Sequence, residues 1–148
     1  MVFSIHPEVQ RLLRQVHTFA LARNVRLFIV GGFLRDLLLK RRKENPDIDF
    51  CLARGGLAFG RQLATHLHAG YVVLDAENKS CRVVKKIQGG MITLDFTDFR
   101  GKDLSDDLLH RDFTINTLAV ALEEAVQKTF SLSDLIDVAG AQADMRRN

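Results

Sequence analysis

The first pattern in the chain is a helical one. From Pro7 onward, apolar residues recur every three or four positions: Val9, Leu12, Leu13, Val16 and Phe19. This spacing predicts an amphipathic helix over residues 7–23, and Pro7 suits its first turn because a proline there loses no hydrogen bond. Residues 57–68 repeat the pattern and predict a second amphipathic helix. Both apolar stripes are interpreted as core.

Shorter segments of β-prone residues indicate strands. They are residues 26–30, 47–52, 71–74, 80–87 and 91–97. Residues 47–52 alternate charged and apolar side chains, as a half-buried strand does, and Gln88-Gly89-Gly90 predicts a hairpin turn between the last two strands. Gly31-Gly32 ends the first strand, and residues 33–39 then return to a helical pattern.

The C-terminal third is predicted to be mostly helical. Residues 104–110 and 114–122 are expected to form helices, and residues 129–132 a last strand-like piece. Together the elements predict an α/β (α+β) fold, with a mixed sheet of about five strands, an antiparallel hairpin and flanking helices.

Composition narrows the class of protein without naming a function. At 148 residues, with 47% hydrophobic and 26% charged side chains, the chain is typical of one globular domain. No stretch approaches the roughly 20 apolar residues of a membrane span, and the N-terminal segment carries charges where a signal peptide is apolar. Cys51 and Cys81 stand apart and are interpreted as reduced core thiols of a cytoplasmic protein. The net charge of +3 permits an anionic partner without requiring one.

Two carboxylates in the strand at residues 47–52 suggest metal chemistry. Asp47 and Asp49 are two residues apart, so they project from the same face of the strand, while Ile48 and Phe50 point to the other. Carboxylates this close repel each other unless a cation lies between them, and Mg²⁺ prefers such oxygen ligands. The alternative, a solvated strand edge, stays open. Asp95, in the strand over residues 91–97, would complete a triad of carboxylates that could hold two metals if the two strands are neighbours. Taken by itself, Asp95 is explained equally well as a surface residue of an alternating strand.

Two further segments carry candidate anion-binding groups. Gly31 and Gly32 lie between a strand and a helix, where backbone N–H groups can approach an oxyanion, and Arg35 follows one turn later. Taken alone, the two glycines favour a tight turn that needs positive φ over an anion site. Residues 111–116 place Arg111, Asp112 and Asn116 before and inside an apolar segment; these side chains suit either a nucleotide or a helix cap.

The ordered set of these segments resembles one known family. The segments are GGFLRD at residues 31–36, DIDF at 47–50, LDFTDFR at 94–100 and RDFTIN at 111–116. In this order and at these distances they are similar to the catalytic head of the bacterial-type tRNA nucleotidyltransferases and poly(A) polymerases, within the DNA polymerase β nucleotidyltransferase superfamily. The resemblance covers most of the chain and implies the nucleotidyltransferase head fold.

The resemblance also implies residue roles. Asp47 and Asp49 match the metal-binding pair, and Asp95 matches the third catalytic carboxylate. The positions matching the family's nucleotide-binding residues are Gly31, Gly32, Arg35, Asp36, Arg111, Asp112 and Asn116. Asp137 and Asp144 resemble a structural element that closes the head, and residues 102–107 a flexible loop.

The implied activity is template-independent addition of CMP or AMP to the 3′ end of tRNA. The implied reaction is two-metal phosphoryl transfer with Mg²⁺. It takes CTP and ATP as substrates, releases pyrophosphate and involves no membrane. Poly(A) addition to other RNA is an alternative, as is a nucleotide-binding module without turnover; transfer to a small molecule ranks last because no Gly-Ser pair precedes the carboxylates. The whole chain is expected to be a single head domain, followed in the family by neck, body and tail domains that this sequence lacks.

Overall fold

The computed structural model describes residues 2–100, 103–104 and 118–137. The helices are α1 (Pro7–Ala22), α2 (Gly32–Leu38), α3 (Gly56–Leu67) and α4 (Leu122–Ala125), with a 3₁₀ turn at Leu132–Asp134. The strands are β1 (Phe28–Val30), β2 (Asp47–Leu52), β3 (Gly70–Asp75), β4 (Ser80–Ile87), β5 (Gly90–Asp98), β6 (Leu118–Ala121) and β7 (Ile136–Asp137). None of the helices in these ranges has the length and apolar character of a membrane span.

The seven described strands form one mixed sheet. Their order is β3-β4-β5-β2-β1-β6-β7, and β2–β5 is the parallel pair, while the other neighbours are antiparallel. β4 and β5 form a hairpin in which Ile87 pairs with Gly90, so Gln88 and Gly89 make the turn. Gly89 has a φ of +84°, which a residue without a side chain adopts readily.

The main core lies between one face of the sheet and the helices. Ile48 and Phe50 of β2 are at most 1% exposed, and so are Leu94 and Phe96 of β5. The rings of Phe50 and Phe96 stack with centroids 4.9 Å apart, and Phe59 of α3 contacts Phe96 edge-on. Burial of these side chains fixes which face of each central strand points inward, and therefore which face its polar residues occupy.

Most predicted elements are confirmed, including the helix at residues 7–23, the alternating strand at 47–52 and the hairpin. The mixed sheet is also confirmed, and it has seven strands where about five were expected. The helix predicted for 114–122 is wrong at residues 118–121, which are strand β6, and 114–117 lie outside the described residues. The strand-like piece at 129–132 is instead a loop with one bridge between Val2 and Ser131, followed by the 3₁₀ turn.

Both cysteines are free thiols in the interior, as predicted. Burial raises the pKa of the Cys81 thiol to about 11, so the thiol stays protonated at neutral pH. Its sulfur packs against α3 at Gly60, where there is no room for a side chain: a Cβ there would overlap Sγ of Cys81 and lie 3.3 Å from the Tyr71 ring.

Gly60→Ala is therefore expected to destabilise the fold by up to about 2 kcal/mol. Alanine favours a helix over glycine by about 1 kcal/mol, and overpacking a core costs about 1–3 kcal/mol. Urea unfolding measures the difference. The same substitution made in a Cys81→Ala background removes the overlapping sulfur and should cost at least about 1 kcal/mol less; an equal cost in both backgrounds would contradict the packing explanation.

Candidate active site

The candidate site lies on the face of the sheet opposite the main core, where the central strands carry carboxylates. Asp47 and Asp49 of β2 are exposed on this face. Because β2 and β5 are parallel, Asp49 is the register partner of Asp95, and Asp47 is the partner of Thr93. The sequence predicted that Asp95 joins the other two carboxylates only if its strand lies beside β2. The structure confirms that β5 and β2 are neighbours.

Asp47 is oriented by the neighbouring strand. The Thr93 hydroxyl donates a short hydrogen bond to Oδ1 of Asp47. The Thr93 backbone N–H bonds the carbonyl oxygen of Pro46 at 3.1 Å. These two contacts fix the start of β2, where the first carboxylate lies.

Asp95 is held by an arginine that the sequence analysis did not identify. Arg82 of β4 donates from Nε to Oδ1 of Asp95 at 2.8 Å and from Nη2 to Oδ2 at 3.0 Å. The Asp95 side chain is 15% exposed and that of Arg82 is 40% exposed. The hydrogen bond from Arg82 to Asp95 and the negative charge of Asp95 raise the pKa of Arg82 above its ordinary value. The negative charges of Asp47 and Asp49 raise this pKa by smaller amounts. Arg82 is therefore the cation that pairs with Asp95.

The glycine turn brings backbone directly against this cluster. Gly31 has a φ of +78°, a conformation that disfavours side chains, and a Cβ added there would lie 3.6 Å from Oδ2 of Asp49. Gly32 begins α2, and a Cβ on it would lie 3.3 Å from Nη2 of Arg35. Both glycines keep the backbone close to charged side chains.

Arg35 and Asp36 lie farther along α2. Nε of Arg35 is 3.5 Å from Oδ1 of Asp36, so the two form an ion pair, but Nε makes no hydrogen bond. A buried donor without a hydrogen-bond acceptor leaves capacity for a ligand.

The structure thus brings Gly31, Asp47, Asp49 and Asp95 together and places Arg35 and Asp36 on the adjoining helix. Arg111, Asp112 and Asn116 lie outside the described residues, as do Asp144 and most of the loop at 102–107.

The donor set suits a hard divalent cation held by two carboxylates. Across residues 2–100, 103–104 and 118–137, no three His, Cys, Asp or Glu side chains gather as metal ligands. Asp47 and Asp49 remain side by side on one face, and Mg²⁺ commonly takes one or two carboxylates plus substrate phosphates. Both oxygens of Asp95 are bonded to Arg82 instead. The chemistry of Asp47 and Asp49 therefore fits Mg²⁺.

Comparison with known proteins places these residues in a family. The sequence profile described as the poly A polymerase head domain matches residues 27–104, which span both central strands and the glycine turn. The chain belongs to the poly A polymerase head domain family. The resemblance noted in the sequence is thereby confirmed.

The curated relatives of this head domain are tRNA nucleotidyltransferases. A CC-adding tRNA nucleotidyltransferase of Synechocystis is 37% identical over 119 residues, which are 80% of this chain and 26% of that protein. An A-adding tRNA nucleotidyltransferase of Geobacter sulfurreducens is 30% identical over 142 residues, covering 81% of this chain and 14% of that protein. The chain thus spans about a quarter or less of the length of these two relatives.

Solved structures share the head-domain fold. A CCA-adding enzyme in complex with CTP superposes with a TM-score of 0.76 at 28% identity, over 97% of this chain and 33% of that one. The Thermotoga maritima CCA-adding enzyme complexed with tRNA gives 0.75 at 27% identity, over 99% of this chain and 35% of that one. The fold of the poly A polymerase head domain is therefore shared with nucleotide-bound and tRNA-bound relatives.

The bidentate contact between Arg82 and Asp95 gives a testable coupling. Arg82→Gln should destabilise the chain by about 1.5–3 kcal/mol, because it removes charge-assisted hydrogen bonds from a largely buried carboxylate. In a double-mutant cycle with Asp95→Asn, followed by urea unfolding, we expect a coupling energy of at least about 1 kcal/mol.

The exposed pair Arg26–Glu123 is the matched control. Its atoms are 3.4 Å apart and its side chains are 67% and 40% exposed, so its coupling should stay below about 0.5 kcal/mol. Equal coupling in the two pairs would show that Arg82 does not hold Asp95.

Proposed function

We propose that this chain is the catalytic head of a template-independent RNA nucleotidyltransferase that adds CMP or AMP to the 3′ end of tRNA and releases pyrophosphate. The observation that carries the proposal is the in-register pair Asp49 and Asp95, with Asp47 on the same face and the Gly31 backbone against Asp49. A carboxylate cluster of this kind, beside a backbone turn that admits a ligand closely, suits phosphoryl transfer.

Each residue has a role in this reaction. Asp47 and Asp49 hold Mg²⁺, and Asp95 is the third catalytic carboxylate, positioned by Arg82. Mg²⁺ held there would supply Lewis-acid chemistry for the transfer, in which the RNA 3′-hydroxyl attacks the α-phosphate and pyrophosphate leaves. The nucleotide is held through residues of the turn, of α2 and of segment 111–116: Gly31, Gly32, Arg35, Asp36, Arg111, Asp112 and Asn116.

The relatives support this choice of substrates. The solved neighbours include CCA-adding enzymes in complex with CTP, with ATP and with tRNA, and the curated relatives include CC-adding and A-adding tRNA nucleotidyltransferases. We therefore propose that CTP, ATP and the tRNA 3′ end are the substrates. We also propose that the enzyme acts in the cytoplasm. Poly(A) addition is the alternative, since the matching profile is described as a poly A polymerase head domain.

A second candidate is a nucleotide-binding module without turnover. The observation in its favour is that Arg82 bonds both carboxylate oxygens of Asp95, the third carboxylate of the site. Such a module would bind CTP or ATP and release no pyrophosphate. Pyrophosphate release therefore separates the two functions.

Asp47→Asn should lower nucleotide addition at least about a hundredfold, because it removes one of two carboxylates proposed to hold the metal. The assay supplies Mg²⁺, labelled CTP or ATP and a tRNA lacking its 3′ end. It measures both label incorporation and pyrophosphate.

Glu77→Gln is the control, since it removes one negative charge from an exposed turn between β3 and β4, and β5 separates these strands from β2. This variant should keep wild-type activity. Wild-type incorporation by Asp47→Asn would overturn the assignment, and triphosphate binding by the wild-type chain without pyrophosphate release would favour the binding module.

A further inference from the structure

The third carboxylate of the candidate site lies between a like charge and an opposite charge. Asp95 on β5 is the register partner of Asp49 on β2 and also of Arg82 on β4. Neighbouring strands of a sheet are about 4.8 Å apart, so the backbone places both partners at similar distances from Asp95. The Asp95 side chain pairs with Arg82, as expected when an opposite charge and a like charge are both within reach.

This pairing uses both oxygens of the carboxylate. They accept hydrogen bonds from Nε and Nη2 of Arg82 at 2.8 and 3.0 Å. In the described part of the chain, Asp95 accordingly does not join Asp47 and Asp49 in a three-ligand metal cluster, although the register places it beside Asp49. The backbone is thus arranged for three carboxylates, while the side chain of the third is directed to β4.

Arg82 and a divalent cation compete for Asp95. A bidentate guanidinium contact is among the strongest that a carboxylate makes, and the guanidinium charge repels a cation on the same carboxylate. With Asp95 paired in this way, Asp47 and Asp49 provide the carboxylates for one cation. Two-metal phosphoryl transfer needs a second cation about 3.5–4 Å from the first. The contact between Arg82 and Asp95 therefore has to open before such a transfer.

The guanidinium of Arg82 has room to move. Its side chain is 40% exposed, whereas that of Asp95 is 15% exposed. The register partner of Arg82 on the edge strand β3 is Val72, which is 52% exposed, so the sheet face beside Arg82 is open to solvent. Rotation about the side-chain bonds of Arg82 is enough to carry the guanidinium from the carboxylate to another anion, with no change in the strands.

We propose that Arg82 is a switch residue, which keeps Asp95 from binding metal until the triphosphate arrives and then transfers its guanidinium from Asp95 to the phosphates. This inference rests on the proposed function, which brings a triphosphate to the same face of the sheet. Phosphate oxygens accept the guanidinium fork as carboxylate oxygens do. Asp95 can then bind a second cation, so binding of this cation and binding of the nucleotide favour each other.

The first test counts the Mn²⁺ ions that the nucleotide-free 148-residue chain binds, by electron paramagnetic resonance. The wild type should bind one ion tightly. Arg82→Gln should bind a second ion at least about tenfold more tightly than the wild type does, a factor typical of coupling between sites. Arg82→Gln/Asp95→Asn should lose this second ion, because the released ligand is then removed.

Two further variants make the count specific. Arg26→Gln is the matched control, since it removes an exposed arginine that is paired with Glu123, and it should keep the wild-type count. Arg82→Lys keeps the positive charge next to Asp95 without the bidentate contact. It should also bind the second ion more tightly than the wild type does, by a smaller factor than Arg82→Gln. Far-ultraviolet circular dichroism establishes that each variant is folded.

The second test follows Arg82 itself by nitrogen-15 nuclear magnetic resonance of the arginine Nε–H groups. The signal that is missing from the spectrum of Arg82→Lys identifies Arg82. Mg²⁺ together with α,β-methylene CTP, which cannot react, should shift this signal, because the guanidinium leaves Asp95. The signal of Arg26 should stay in place.

Equal numbers and affinities of Mn²⁺ ions in the wild type and in the folded Arg82 variants would overturn the proposal. An Arg82 signal that does not move when the CTP analogue binds would overturn it as well. Failure of the proposed function gives a different result. In that case the wild type neither binds CTP nor adds nucleotide, while Arg82→Gln still gains the second Mn²⁺ ion.

Discussion

The parallel pairing of β2 with β5 is the constraint on which the candidate site depends. Ile48 and Phe50 pair with Leu94 and Phe96, and burial of all four sets the face of both strands. A slip of one residue would turn the apolar side chains to water and the carboxylates into the core, so hydrophobic burial fixes the register strongly. The register that buries the core therefore also places Asp49 beside Asp95.

Two further features act on the carboxylates that this register assembles. Arg82, the partner of Asp95 on β4, compensates part of the negative charge and orients the third carboxylate through two hydrogen bonds. The Gly31 turn supplies backbone without a side chain next to Asp49. Charge compensation and close backbone approach are the two requirements of a site that accepts an anionic substrate beside acidic residues.

The local hydrophobic pattern was sufficient to predict the helices and strands that have a clear period. It was insufficient for the elements that are defined by pairing with distant parts of the chain. The alternation over Asp47–Leu52 predicted strand β2 and its acidic face, because a half-buried strand has an unambiguous period. Leu118–Ala121 was interpreted as helix, because a short, fully buried apolar run carries no period that separates helix from strand.

The role of Arg82 was missed for a related reason. Its importance follows from the residue opposite it across the hairpin, and only the register identifies that residue. The signal in the sequence was the hairpin itself: counting back from the turn at Gln88 and Gly89 pairs Arg82 with Asp95. Asp47 and Asp49 could be identified without counting residue pairs across strands, because both lie on β2.

The central claim is that the buried alternation of β2 presents Asp47 and Asp49 as a divalent cation site. Electron paramagnetic resonance of Mn²⁺, used as a probe for Mg²⁺, tests it without depending on turnover. Titration of the wild-type chain should remove the free Mn²⁺ signal, and Asp47→Asn/Asp49→Asn should restore it while the far-ultraviolet circular dichroism of the fold stays unchanged. Equal Mn²⁺ binding by a folded double variant and the wild type would contradict the account.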